Sequence, residues 1–388
     1  MLGSTLGLAE LPGVAHAARF PLYTTGAQAL TAPHLADTFN WADAGQGFEW
    51  APFGQWWSGA FGERAAGYFA RAATLAVGPT SLHAFSWGSF VEALAYFDPA
   101  GSAADVAALP RAALFPYVSM GVFRGPWLAA KEAQTYAGFK GGNTAWNHNH
   151  LDLGSFVYDC NGTRFAADLG ADNYALPGYF DDKVRWSYYR LNSRGHNVVL
   201  VDNTSQPFPA QAAVTAFNAS GAAPVDAAAQ VNLTAALAAH ARAAARTFVS
   251  LNDTRALLVV DDFEWGAGAA PRNLTWQLHT FAAATVLPPP QQGVALRARD
   301  GSQALLLLLP AQSACPSFAG FLLTDLAPLL PPPIDSAAGY TRIDGLALAP
   351  AQAGAQCTRL AFALGEVGLV QAMVGAGAAP VQLDALFA

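Results

Sequence analysis

The residues that could do chemistry gather in Asn147-His148-Asn149-His150-Leu151-Asp152, in Asp168, and in Arg194-Gly195-His196-Asn197. On a strand, His148, His150 and Asp152 share one face, because side chains alternate. Imidazole with carboxylate is a zinc-binding set. Two triads are open: a local one, His148, His150 and Asp152, and a dispersed one, His150, Asp168 and His196, drawn from separate strands. A two-residue hairpin at Asn161-Gly162 would pair Asp168 with Ser155. His150 would then lie five residues back, roughly 17 Å along a straight strand. The dispersed triad therefore needs a bend, and Gly154 is where the chain can make one.

A second segment is basic and aromatic: Tyr179, Lys183, Arg185, Trp186, Tyr188, Tyr189, Arg190 and Arg194. Four cations within twelve residues are a local excess, since the chain has only 20 Lys plus Arg. Asp181 and Asp182 offset half of that charge. Such a patch suits a carboxylate- or sulfate-bearing ligand, with guanidinium forks for the anion and rings for stacking.

The elements that must position these groups change character along the chain. Residues 1 to about 110 read as helical. Gln55 to Ala76 carries aromatic and leucine residues at three-to-four spacing, and a further helix follows Ser81 up to Asp98-Pro99. From about residue 113 short strands take over: Phe115 to Arg124, Gln134 to Lys140, Ser155 to Cys160, Thr163 to Asp168 and His196 to Asp202. Thr247 to Leu251 and Ala256 to Asp261 flank Asn252-Asp253, and Gly293 to Arg299 and Ser302 to Leu309 flank Asp300-Gly301. Strands with tight turns and no alternating helices predict an antiparallel sandwich. Ala222 to Ala245 reads as a loop or surface helix, Leu305 to Leu309 as a buried strand, and Pro288 to Pro290 and Pro331 to Pro333 as loops or edges. The division expected is 1–112 helical and 113–388 sandwich.

Composition narrows the class. The 388 residues carry a net charge of −7 and are 53% hydrophobic. That acidity argues against a nucleic-acid binder, which needs a basic face. No apolar run is long enough to span a membrane. Asn161, Asn203, Asn218, Asn232, Asn252 and Asn273 all stand in N-x-S/T triplets, an excess that points to the secretory pathway or cell exterior. Yet the first residues show no basic region followed by an apolar one, so no signal peptide is visible. Of the three cysteines, Cys315 and Cys357 could pair, leaving Cys160 free.

On these residues the chain resembles the heparinase II/III-like polysaccharide lyases, which include alginate and oligoalginate lyases. The resemblance is carried by FNWADAG from Phe39, MGVFRG from Met120, NHNHLDLGSFVYDCNGTRFAADLG from Asn147, LPGYF from Leu176, RWSYYRLNSRGHNVVLVD from Arg185, VVDDFEW from Val259 and TWQLHTF from Thr275. It runs over about residues 20 to 310, and the remainder finds no counterpart. It implies a multi-domain α-then-β chain in which an (α/α) toroid packs on an antiparallel β-sandwich with the cleft between them. It selects His150, Asp168 and His196 as ligands of one zinc, mainly structural, and makes His148 a cleft histidine that acts as base or carboxylate partner. Next to Gly195-His196, Tyr188 and Tyr189 become candidate catalytic residues, and Arg190, Arg185 and Trp186 candidate substrate contacts. The chemistry implied is β-elimination on a uronic-acid polysaccharide, an acidic polymer. The pattern departs in one respect: no Asn-His pair and no EGPGYW-type tyrosine segment precede residue 39. The helices up to Tyr96 then correspond to the last third of a toroid, and the chain is expected to be a fragment. The alternative from another class is a non-catalytic zinc-stabilised glycan-binding or structural module. A metallo-β-lactamase-like hydrolase, suggested by H-x-H-x-D, lacks the next histidine, since residue 153 is Leu, and would need a second metal and alternating helices.

Overall fold

The computed structural model describes residues 7–27, 38–44, 51–77, 94–221, 223–266, 272–309, 317–326, 340–349, 357–374 and 386–387. Helices α1 (Arg19–Thr24), α2 (Ala51–Phe61), α3 (Arg64–Val77) and α4 (Ala103–Ala107) precede the strands, and α5 (Val367–Val374) follows them. The single helix expected over Gln55 to Ala76 is two. Gly62 breaks it at φ +71°, its N–H bonding the Ser58 carbonyl, as a glycine just past a helix end does. The helix expected after Ser81 falls mostly outside the described residues, as do Cys315 and Pro331 to Pro333. No described helix is long and apolar enough to cross a membrane.

Three antiparallel sheets follow. The first has five strands in the order β1 (Ala112–Phe115), β2 (Met120–Arg124), β3 (Tyr136–Lys140), β5 (Phe156–Cys160) and β6 (Thr163–Ala166). The second has nine. Its order is β13 (Ala283–Val286), β14 (Gly293–Arg297), β15 (Gln303–Leu308), β18 (Cys357–Gly365), β11 (Ala256–Glu264), β10 (Ala243–Leu251), β9 (Val225–Asn232), β8 (Gln211–Asn218) and β4 (Gly142–Asn143). The third has four: β16 (Ser317–Asp325), β17 (Thr341–Ala349), β12 (Arg272–Thr280) and β7 (Val199–Val201).

Alternation along the strands builds the layers. On β5, Phe156, Tyr158 and Cys160 face the inner core with Phe248, Val259, Trp276 and Phe362, while Val157 faces the helices with Phe69, Leu22 and Phe39. On β15 and the residue after it, Leu306 and Leu308 face inward and Leu305, Leu307 and Leu309 face a third core that includes Val370 of α5. Covered on both faces, that strand can be apolar throughout, which is why five consecutive leucines occur there.

Several expectations are corrected. Phe115 to Arg124 is not one strand, because a turn over 116–119 separates β1 from β2. Ala222 to Ala245 is neither loop nor surface helix. It supplies β9 and the start of β10, where Ala227 and Ala229 pack inward and Ala228 packs outward. The stretch beyond residue 310, which matched nothing, contributes β18, paired with β11 and β15 in the middle of the large sheet. The β5–β6 hairpin turns at Asn161-Gly162 with φ of 53° and 68°, the two left-handed residues of a type I′ turn. A bulge between Tyr158 and Asp159 shifts its register, so Tyr158 faces Ala166 and the expected Ser155–Asp168 pairing does not form. A side chain at Gly162 would place its Cβ 2.6 Å from Lys131 Cγ. Gly162→Val is therefore expected to cost about 1–2 kcal/mol, read as a lower urea midpoint.

Candidate functional site

The site lies where the loops after β4 and β6 meet the loop that carries Asp43. Gly154 makes the bend that the first of these loops needs, at φ +84°. Its N–H bonds the Lys140 carbonyl, and Ser155 N–H bonds the Asp152 carbonyl. Gln206 then acts as a short strand made of one side chain, accepting from Leu153 N–H and donating to Leu153 O, both at 2.8 Å. Asn197 donates to the Phe156 and Ala167 carbonyls and accepts from His279 N–H. These bonds fix His150, Asp152 and His196 in a rigid frame.

Asp43 is a hub of the site. Its Oδ1 accepts from His150 Nε2 at 2.9 Å and from Tyr179 Oη at 2.5 Å, and its Oδ2 lies 2.9 Å from His148 Nδ1. Burial pushes its pKa up, but the hydrogen bonds from His150 and Tyr179 outweigh that and hold it at about 2. An ionised carboxylate only accepts, so each histidine must present N–H to it. This fixes the tautomers: His148 is protonated at Nδ1 and His150 at Nε2. The Asp168 carboxylate does the same for His196. Burial opposes its ionisation, yet His196 brings its pKa to about 2. Its Oδ2 lies 3.0 Å from His196 Nδ1, and its Oδ1 accepts from Gly170 N–H.

Two buried imidazole nitrogens of the cluster, His150 Nδ1 and His196 Nε2, have no hydrogen-bond partner among the described residues. The two rings lie 5.2 Å apart, and His150, Asp152 and His196 can each bring one ligand atom within 4.8 Å of the others. Asp152 is itself paired with Lys140, at 2.7 and 2.8 Å, and both are buried. Lys140 compensates the Asp152 carboxylate, while Asp43 and Asp168 are held by the histidines, Asp168 outweighing burial to raise the His196 pKa. A buried charge needs a counter-charge. Two unpartnered imidazole nitrogens and a carboxylate within reach of one another fit a divalent cation. The cluster thus mixes the two triads: His150 belongs to both, Asp152 to the local one and His196 to the dispersed one. Asp168 is placed on the far side of His196, where it orients the ring, because its Oδ2 is spent on Nδ1.

His148 differs from its neighbours. Its side chain is 43% exposed, its backbone is left-handed at φ 65°, and its ring packs edge-on against Phe180. A non-glycine residue in that region is held there by its surroundings. Tyr174 Oη lies 3.3 Å from His148 Nδ1.

The basic and aromatic segment is largely turned inward. Arg185 is buried, donates to the Asn149 carbonyl and lies over Tyr179 and Trp186. Arg190 is buried too and donates to the Leu169 and Ala171 carbonyls. Their guanidinium groups pin the site loops to each other, where the expectation was of direct substrate contact. Trp186 packs on Phe208. Tyr188 Oη donates to the Pro177 carbonyl, while Tyr189 Oη contacts His279 and Arg342. Neither hydroxyl has a described contact with His148. Asp43, Lys140 and Tyr174 are the site residues that sequence reasoning gave no role. Only the FNWADAG segment pointed toward Asp43, which lies 105 residues before His148.

Comparison with known proteins agrees with the antiparallel fold. The model of the heparinase II/III-like C-terminal family matches residues 110–317, and the chain belongs to that family. Among solved structures it is similar to heparan sulfate lyase HepC from Pedobacter heparinus, at 14% identity and a TM-score of 0.60, covering 87% of this chain and 45% of that one. It is also similar to heparinase III, at 12% identity and a TM-score of 0.62, covering 90% and 47%. The chain thus spans less than half the length of these relatives, and at such identities the likeness is one of fold. A search of the curated proteins finds no match.

Proposed function

We propose that this chain forms the sandwich wall of a polysaccharide-lyase cleft and takes part in β-elimination on a uronic-acid-containing polysaccharide. The observation that supports this best is the half-exposed His148 ring held by buried Asp43. With Nδ1–H tied to the carboxylate, Nε2 carries a lone pair free to act as base. The C5 proton of a uronate becomes removable only when donors or cations neutralise the neighbouring carboxylate. His148 Nε2 would take that proton. The C5–H electron pair becomes the C4–C5 double bond, the C4–O bond breaks, and the glycosidic oxygen receives a proton. Tyr174, rather than Tyr188 or Tyr189, is the tyrosine placed to share this work. Helices α1 to α3 are read as part of a helical toroid that forms the opposite wall.

His150, His196 and Asp152 would hold one zinc, with Asp168 orienting His196. Bound there, zinc supplies charge neutralisation and a staple between the two loops. None of the six sequon asparagines is buried, which supports a secreted, glycosylated protein.

The test is ultraviolet detection of unsaturated uronate with heparan sulfate as substrate. The wild-type chain is expected to generate the signal and His148→Ala to reduce its rate about a hundredfold. No signal from the wild type, or an undiminished one from the variant, would overturn the reading.

A further inference from the structure

A groove of about 600 Å³ lies at the β4–β8 edge of the nine-stranded sheet, apart from the histidine cluster. That volume is within the range of small-ligand sites, ~300–1,000 Å³. One side is an aromatic platform. Tyr117 and Trp146 stack with ring centroids 6.0 Å apart and planes within 11°. Tyr117 stands on the β1–β2 turn and is 89% exposed, an aromatic face left open to solvent. Trp146 follows β4, and Gly142, at φ +98°, brings that strand in so that a Cβ there would touch the Trp146 ring at 3.6 Å.

The rest of the lining is neutral and polar. Asn143 Oδ1 accepts from Ala145 N–H, so its carbonyl is used within its own turn and its amide NH₂ is left to point elsewhere as a donor. Gln211 and Thr215 line the same groove, and none of its described lining residues is charged. An exposed aromatic ring backed by a second parallel ring offers its outer face to the apolar face of a pyranose, and with an amide donor for the hydroxyls this makes a sugar site. The lack of charge excludes selection for an anion.

We infer that this groove is a second carbohydrate-binding site that takes an uncharged pyranose unit of a glycan, stacked on the open face of Tyr117 with Trp146 packed behind it. This goes beyond the elimination chemistry and does not depend on it. Trp146 is two residues from His148 along the chain.

The test is calorimetric titration of the unglycosylated chain with cellotetraose and with chitotetraose, at low and high salt. Saturable binding of at least one is expected, with an affinity that does not change with salt. Tyr117→Ala, which removes an exposed side chain, should weaken it about tenfold while leaving the thermal melt unchanged. His148→Ala should bind as the wild type does. The inference is overturned if neither tetrasaccharide saturates, if Tyr117→Ala binds normally, if affinity falls steeply with salt, or if His148→Ala abolishes binding. Failure of the elimination proposal reads separately, as absence of unsaturated uronate.

Discussion

Protein purified without chelator is expected to carry about one zinc per chain, and His196→Ala to lose it together with about 3–5 kcal/mol of unfolding free energy. The magnitude follows from what His196 holds. Its Nδ1–H is the charge-assisted partner of buried Asp168, and its Nε2 has no hydrogen-bond partner among the described residues. Removing the ring strands the carboxylate and empties the ligand set in one step. Two further substitutions separate first ligand from orienting group. Asp152→Asn should abolish metal retention, while Asp168→Asn should weaken it only about 10–100-fold, as loss of an orienting partner does. The reverse order would make Asp168 the ligand, as the family resemblance implies. Elemental analysis that finds no transition metal in any preparation would leave only a hydrogen-bonded histidine pair.

The ease of reading each part of this chain tracked how local its causes are. The Asn161-Gly162 turn needs two left-handed residues, and the sequence shows both. The leucine run at 305–309 declares burial on two faces. Ala222 to Ala245 declares nothing, because alanine fits helix, strand or loop, and only the cores on either side of β9 decide it. The ligand set was harder still. Alternation proposed His148, His150 and Asp152, but the turn at 146–149 gives His148 a left-handed backbone and leaves its ring half-exposed, on the other oxygen of Asp43 from His150. His196 arrives only through the loop that Asn197 and Gln206 tie down. Asp43 comes from the helical region, and no spacing rule reaches across a hundred residues. Arg185 and Arg190 looked like anion forks by composition; burial against backbone carbonyls makes them braces.

Arg246→Met is expected to cost about 3–5 kcal/mol in urea unfolding. The guanidinium is fully buried and grips Asp261 with two bonds, at 2.7 and 2.9 Å. Burial already raises the Asp261 pKa, with Arg246 opposing; without the cation that carboxylate would be buried alone. The same guanidinium does a second task. Its Nη1 donates to Gly154 O at 2.8 Å and to Asn197 O at 2.6 Å, the two carbonyls that flank the loops bearing Asp152 and His196. The two tasks can be separated. In Arg246→Met with Asp261→Leu, the stranded charge is gone and most of the stability should return, since an apolar pair of similar volume often replaces a buried ion pair well. The two carbonyls still lack their donor, so zinc retention should stay below that of the wild type. A double variant that is stable and also binds zinc normally would confine Arg246 to the core. A single variant as stable as the wild type would show that the pair contributes nothing. If instead stability recovers and metal affinity does not, the ion pair in the large sheet is what holds the two halves of the site in register.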